Sequence, residues 1–110
     1  RLILVDAITY AKRQGCTHLI DAATLTGAIA VALGTINVGV FTNNDDLAKR
    51  VLDAAKTKGE KMWPMPLDEE YREMLKSGFA DIPNISGSRY GGASTAAAFL
   101  KEFAEDTPWV

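Results

Sequence analysis

Apolar residues near the start of the chain recur at helical spacing. Leu4, Ala7, Ile8 and Ala11 fall at i, i+3, i+4 and i+7, one face of a helix. Lys12, Arg13 and Gln14 follow, and Gly15 suits the position just past a helix end. The pattern predicts a helix over residues 2–14. Residues 17–24 then form a short, mostly apolar run after a glycine, with the length and flanks of a buried strand. Residues 24–27 read as a loop, and 28–33 as a short helix stopped by Gly34. Residues 37–42 read as a second strand.

Asn43, Asn44, Asp45 and Asp46 offer several N-cap candidates, with carboxylates that suit the positive end of a helix dipole. Leu47, Val51, Leu52 and Ala55 form the apolar stripe of that helix, which Gly59 ends. Residues 61–66 are extended, and Pro64 and Pro66 confine them to an edge strand or an irregular segment. Asp68 is the expected cap of a helix carrying Tyr71, Met74 and Leu75 and ending at Gly78. Residues 80–92, rich in Gly, Ser, Asn and Pro, read as a long loop, and long loops in compact domains are often functional. A last helix over 93–105 is expected to bury Ala96, Phe99, Leu100 and Phe103, and Trp109 and Val110 open a further strand. Alternating strands and helices predict an α/β fold, a layered sheet with helices packed on its faces.

Composition narrows the class. The 110 residues suffice for one core, and 47% apolar with 24% charged residues is ordinary for a soluble globular protein. A net charge of −2 indicates neither nucleic acid nor an anionic membrane as partner. No apolar run approaches the roughly 20 residues that span a bilayer. One cysteine, Cys16, excludes an intrachain disulfide and fits a reducing compartment. The chain opens on Arg1 without an initiator Met, and Trp109 and Val110 stop in mid-pattern. The expectation is a piece of a larger domain, truncated at both ends.

Several groups invite a chemical reading. Cys16 and His18 share a strand face, but a zinc site needs three or four ligands and the chain has no other Cys or His. A small core thiol and a partly buried imidazole are therefore expected. Residues 92–96, Gly-Ala-Ser-Thr-Ala, approach the nucleophile elbow G-x-S-x-G but lack its last glycine and its leading strand. Gly91 and Gly92 before a helix suit either an anion or close packing, and the small residues that follow favour packing. Asp21, alone in an apolar run, would be costly to bury unpaired and is expected to anchor a hydrogen bond. Neither G-x-G-x-x-G nor a Walker pattern is present, which disfavours a nucleotide-binding domain.

Three stretches carry a likeness to a known family. The opening Arg1-Leu2-Ile3-Leu4-Val5-Asp6-Ala7 resembles the end of the leucyl aminopeptidase signature. Residues 21–28, Asp-Ala-Ala-Thr-Leu-Thr-Gly-Ala, resemble its second motif. Residues 91–100 with Pro108 and Trp109 resemble its third, in the same order and spacing. The resemblance implies a two-metal hydrolase that releases N-terminal residues from peptides with a free amino terminus. It implies two divalent ions (zinc, manganese or magnesium), a bicarbonate that acts as general base, a homo-hexamer and a cytoplasmic location. Arg1 matches the arginine that holds the bicarbonate, a role suited to its planar fork. Leu25 matches the residue whose backbone lies beside bicarbonate and substrate, and Thr24 and Gly27 match the wall around the substrate's first side chain. The family's metal ligands and catalytic lysine precede Arg1, so no metal ligand is expected within these residues, and the isolated piece is expected to be inactive. The alternative is a non-catalytic packing and oligomerisation module.

Overall fold

A computed structural model describes all residues except 77 and 79. Its elements are α1 (Leu2–Arg13), α2 (Gly27–Leu33), β1 (Val38–Val40), α3 (Asp45–Lys58), β2 (Met62–Pro64), α4 (Glu69–Glu73) and α5 (Gly92–Ala104). β1 and β2 pair in parallel, Val38 opposite Met62 and Val40 opposite Pro64, with α3 as the crossover. Parallel neighbours require such a crossover, because a hairpin turn cannot join them. A second parallel contact joins Leu19 to Trp109. Asn43 N donates to the Trp109 carbonyl at 3.3 Å, and Met65 N to the Val40 carbonyl at 2.8 Å. Extended segments thus lie side by side in the order 19–21, 108–110, 38–43 and 62–65. The expected α/β fold, a sheet with packed helices, is present in this form.

Helix α5 sits at the centre. Every residue from Ala93 to Leu100 is buried, and α1, α2 and α4 all contact this helix. The sequence pattern predicts one buried face. Burial instead runs round the whole N-terminal part of the helix, and Phe103 is only partly buried. The cause lies in Ala93, Ser94, Ala96, Ala97 and Ala98, small side chains that admit neighbouring backbones on every side. At its start, a Cβ on Gly92 would lie 3.2 Å from the Ala28 methyl, so the glycine lets α2 and α5 meet. That contact favours the packing role over the anion role for this glycine pair. Phe99 and Leu100 are among the deepest side chains. Burying each stabilises the fold by roughly 1.5–3 kcal/mol.

Helix α3 forms as its pattern predicts. Asn44 Oδ1 accepts from Leu47 N at 2.9 Å, Asp45 and Asp46 occupy the first turn, and the helix ends at Gly59. Helix α4 is shorter than predicted. Asp68 stands at its N-cap but its side chain accepts no helix N–H, and Met74 and Leu75 lie beyond the last turn. Residue 77 of the predicted extension lies outside the described residues. Leu75 is nevertheless deeply buried, in the cluster that holds Ile8, Phe99 and Trp109.

Two expectations fail. Residues 17–24 do not form a buried strand: Leu19 alone makes a bridge and is buried, while Ile20 is 65% exposed. Among the described residues, the 108–110 segment pairs with this stretch through Leu19 and Asp21. Cys16 and His18 are both exposed rather than core residues, because the turn after α1 carries them over the surface before the bridge begins.

Gly39 marks a close approach between β1, α2 and the residue that follows β2. A Cβ there would fall 2.5 Å from Ile29 Cδ1 and 3.3 Å from Met65 Cγ. Gly39→Ala is expected to destabilise the protein by about 1–3 kcal/mol through overpacking. Urea denaturation checks this, and an unchanged midpoint would show that Ile29 and Met65 move aside freely.

Candidate functional site

The segment following α1 is held first by backbone and then by side chains. Leu19 N donates to the Pro108 carbonyl at 2.8 Å, Val110 N to the Leu19 carbonyl at 3.0 Å, and Asp21 N to the Val110 carbonyl at 3.0 Å. The backbone ladder stops there. Trp109 Nε1 donates to Asp21 Oδ2 at 2.6 Å, a short charge-assisted bond. Ala22, Ala23 and Thr24 then run exposed. Leu25 turns inward onto the main core, and Thr26 caps α2 by accepting from Ile29 N at 3.3 Å.

This segment walls a cleft of about 610 Å³, lined on its other sides by β1, α2, Leu100 and Trp109. The lining is mostly apolar, with Asp21 its one ionisable side chain. An apolar concavity with a few placed polar groups is the usual form of a small-ligand site. A second hollow of about 490 Å³ lies between β1, α3 and residues 64–68. Its lining includes none of Arg1, Thr24, Leu25 and Gly27.

Of these four, the structure brings Thr24 and Leu25 into the wall of the first cleft. Gly27 opens α2 just beyond it, exposed, and a Cβ there would meet nothing within 4 Å. Arg1 stands at the N-terminus of α1 and is not part of the cleft lining. Its Nη1 donates to the Asn84 carbonyl, which ties α1 to the long 80–91 loop. Partial burial pushes the guanidinium below its ordinary pKa. One bond does not exhaust the guanidinium, which carries five N–H donors in a fixed fork. At the other end of α1, Lys12 Nζ donates to the Phe103 carbonyl at 2.8 Å and pairs with Glu105.

Among the described residues, no three or more His, Cys, Asp or Glu side chains gather closely enough to hold a metal ion. The described residues therefore do not supply a donor set for the metal pair that the sequence resemblance implies. Ser94 is buried inside α5 behind a loop, and His18 is exposed, so the nucleophile-elbow reading finds no support.

Two polar connections escape a sequence reading. One is the Asp21–Trp109 bond. The other is Asn43, whose Nδ2 donates to the carbonyls of Glu105 and Thr107 at 3.0 Å each, while its Oδ1 accepts from Trp109 N at 2.8 Å. That amide mimics a strand partner and fixes the turn from α5 into the 108–110 segment. The one available signal was a carboxylate in an apolar run, which requires a partner without saying which.

Comparison with known proteins places the chain. A model of the cytosol aminopeptidase family, catalytic domain, matches residues 1–110. A probable cytosol aminopeptidase of Solibacter usitatus is 69% identical over the whole chain, which covers 23% of that relative. One from Acidobacterium capsulatum is 63% identical, with 22% of it covered. A solved structure of a mutant tomato leucine aminopeptidase superposes with a TM-score of 0.92 at 52% identity, over 96% of this chain and 21% of that one. The chain thus spans less than a quarter of the length of the relatives it matches.

Replacing Arg1 tests the tie between α1 and the loop. Arg1→Ala is expected to speed amide hydrogen exchange within residues 82–90 and to leave α3 unchanged. Equal protection of the loop in both proteins would contradict the role given to that bond.

Proposed function

Because the chain belongs to the cytosol aminopeptidase family, we propose that it forms part of a peptidase that releases N-terminal residues, preferentially those with leucine-like side chains. The observation that supports this is the apolar cleft beside residues 20–26, whose wall includes Thr24 and Leu25. Apolar lining lowers the free energy of a buried aliphatic side chain by about 25 cal/mol per Å² removed from water.

In this reading Thr24 and Gly27 bound the space for the substrate's first side chain, and the Leu25 backbone runs beside the substrate. The missing Cβ of Gly27 leaves that side of the α2 start open. Arg1 holds a bicarbonate, for which two parallel N–H donors of the guanidinium fork are suited. The bicarbonate supplies a general base when bound. Arg1 contributes orientation and charge, and its bond to the Asn84 carbonyl limits where the fork points. The metal pair, whether zinc, manganese or magnesium, takes its ligands from residues outside this chain. A peptide with a free amino terminus, a hexameric assembly and a cytoplasmic setting belong to the same reading. Exposed apolar side chains such as Ile3 and Val31, 83% and 90% accessible, suit faces that meet further protein.

The full-length protein, loaded with manganese or zinc, is expected to hydrolyse leucine amide and to spare its N-acetylated form. No hydrolysis with metal bound would contradict the proposal. Gly27→Ala separates the pocket role from a folding role. A methyl at that position meets no neighbour, so thermal stability is expected to hold or rise slightly. The kcat/KM for leucine amide is expected to fall about tenfold relative to glycine amide, the scale of roughly 1.4 kcal/mol of overpacking against the substrate. An unchanged leucine-to-glycine ratio would remove Gly27 from the pocket.

A further inference from the structure

We propose that Asp21 is a positioning residue for the specificity wall, acting through the indole N–H of Trp109. The inference rests on the aminopeptidase reading of the cleft and adds a residue to which that reading gives no role.

Three observations converge on this pair. First, Asp21 is the last residue that the 108–110 segment holds by backbone, through Asp21 N to the Val110 carbonyl at 3.0 Å. Beyond it, Ala22, Ala23 and Thr24 lie along the cleft wall. Asp21 therefore joins the bonded 19–21 segment to the wall. Second, Trp109 is itself immobilised. It is 3% exposed, its backbone N donates to Asn43 Oδ1 at 2.8 Å, and its carbonyl accepts from Thr42 Oγ1 at 2.7 Å. A carboxylate bonded to such a group is held against the rigid centre of the molecule rather than against another loop. Third, Asp21 and Trp109 both line the cleft. Alternation along the 19–21 segment puts Asp21 on the same face as Leu19, which lies opposite Trp109.

The wall is thus pinned at both ends. Asp21 holds the entry, and Leu25 in the core with the Thr26 cap holds the exit. Thr24 lies between these two anchors. A carboxylate in a mostly apolar cleft is otherwise costly, and the 2.6 Å bond to Nε1 offsets that cost. An acceptor is all the geometry requires at Asp21, so an amide oxygen can replace the carboxylate oxygen.

The test is made in the full-length, metal-loaded protein with Asp21→Asn, Asp21→Ala, Trp109→Phe and the Asp21→Ala/Trp109→Phe double variant. For leucine amide, Asp21→Ala and Trp109→Phe are each expected to raise KM about tenfold and to leave kcat within about twofold, as fits a lost bond to a charged group. Their KM for glycine amide is expected to stay near wild type, because glycine has no side chain to meet the wall. Asp21→Asn is expected to behave as wild type within about twofold. In thermal unfolding, the double variant is expected to be no less stable than the worse single one, since the two changes delete one interaction.

Equal losses for leucine and glycine amides would overturn the positioning role, as would additive losses of stability in the double variant. An Asp21→Asn protein as impaired as Asp21→Ala would show that the charge itself matters, which also overturns it. Inactivity of the wild-type protein on leucine amide would instead count against the aminopeptidase reading. The unfolding cycle would still decide whether the pair acts as one unit.

Discussion

Burial of α5 on all sides is the constraint on which the rest of the structure depends. A helix buried all round must be small wherever neighbours cross it, and Ala93, Ala96, Ala97 and Ala98 meet that demand. Larger side chains enter only further along, where Phe99 and Phe103 stack edge to face with centroids 5.2 Å apart. Helices α1, α2 and α4 take their places from this axis. The Gly92–Ala28 approach fixes how near α2 comes, and α2 carries the exit of the specificity wall.

The axis also reaches the candidate site from its other end. After α5 the chain turns at Glu105, the one non-glycine residue with a positive φ among the described residues. Asn43 binds the carbonyls on both sides of Asp106 and so holds this turn. Trp109 then enters the core with its backbone tied to Asn43 and its indole tied to Asp21. A path of packed and hydrogen-bonded groups therefore runs from α5 through Trp109 to the cleft wall. Surface ion pairs such as Arg72–Glu102 at 2.6 Å and Lys49–Asp53 join or brace exposed faces, and pairs of this kind contribute little.

What the sequence made legible was local. Helices α1, α3 and α5 appear in the spacing of Leu4, Ile8 and Ala11, of Leu47, Val51 and Leu52, and of Ala96, Phe99 and Leu100. The ends of α3 follow from Asn44 and Gly59. The likeness to leucyl aminopeptidases was legible in the stretch Asp21 to Ala28, and it led to Thr24 and Leu25. What was not legible was set by partners far along the chain. An apolar run at 17–24 carries no mark that Leu19 alone of its residues will be buried. Asp21 and Trp109 stand 88 residues apart, and Arg1 and Asn84 stand 83 apart. Asp68 satisfied every local rule for a cap and still makes no cap bond, because capping also needs the side chain to turn toward the helix.

The most direct test of the account is a crystal structure of the full-length protein with leucine, the product of the proposed reaction, bound. The account predicts the isobutyl group inside the cleft, against Thr24 and the Leu25 backbone, with the space above Gly27 beside it. Leucine seated elsewhere, with residues 20–27 untouched, would contradict it.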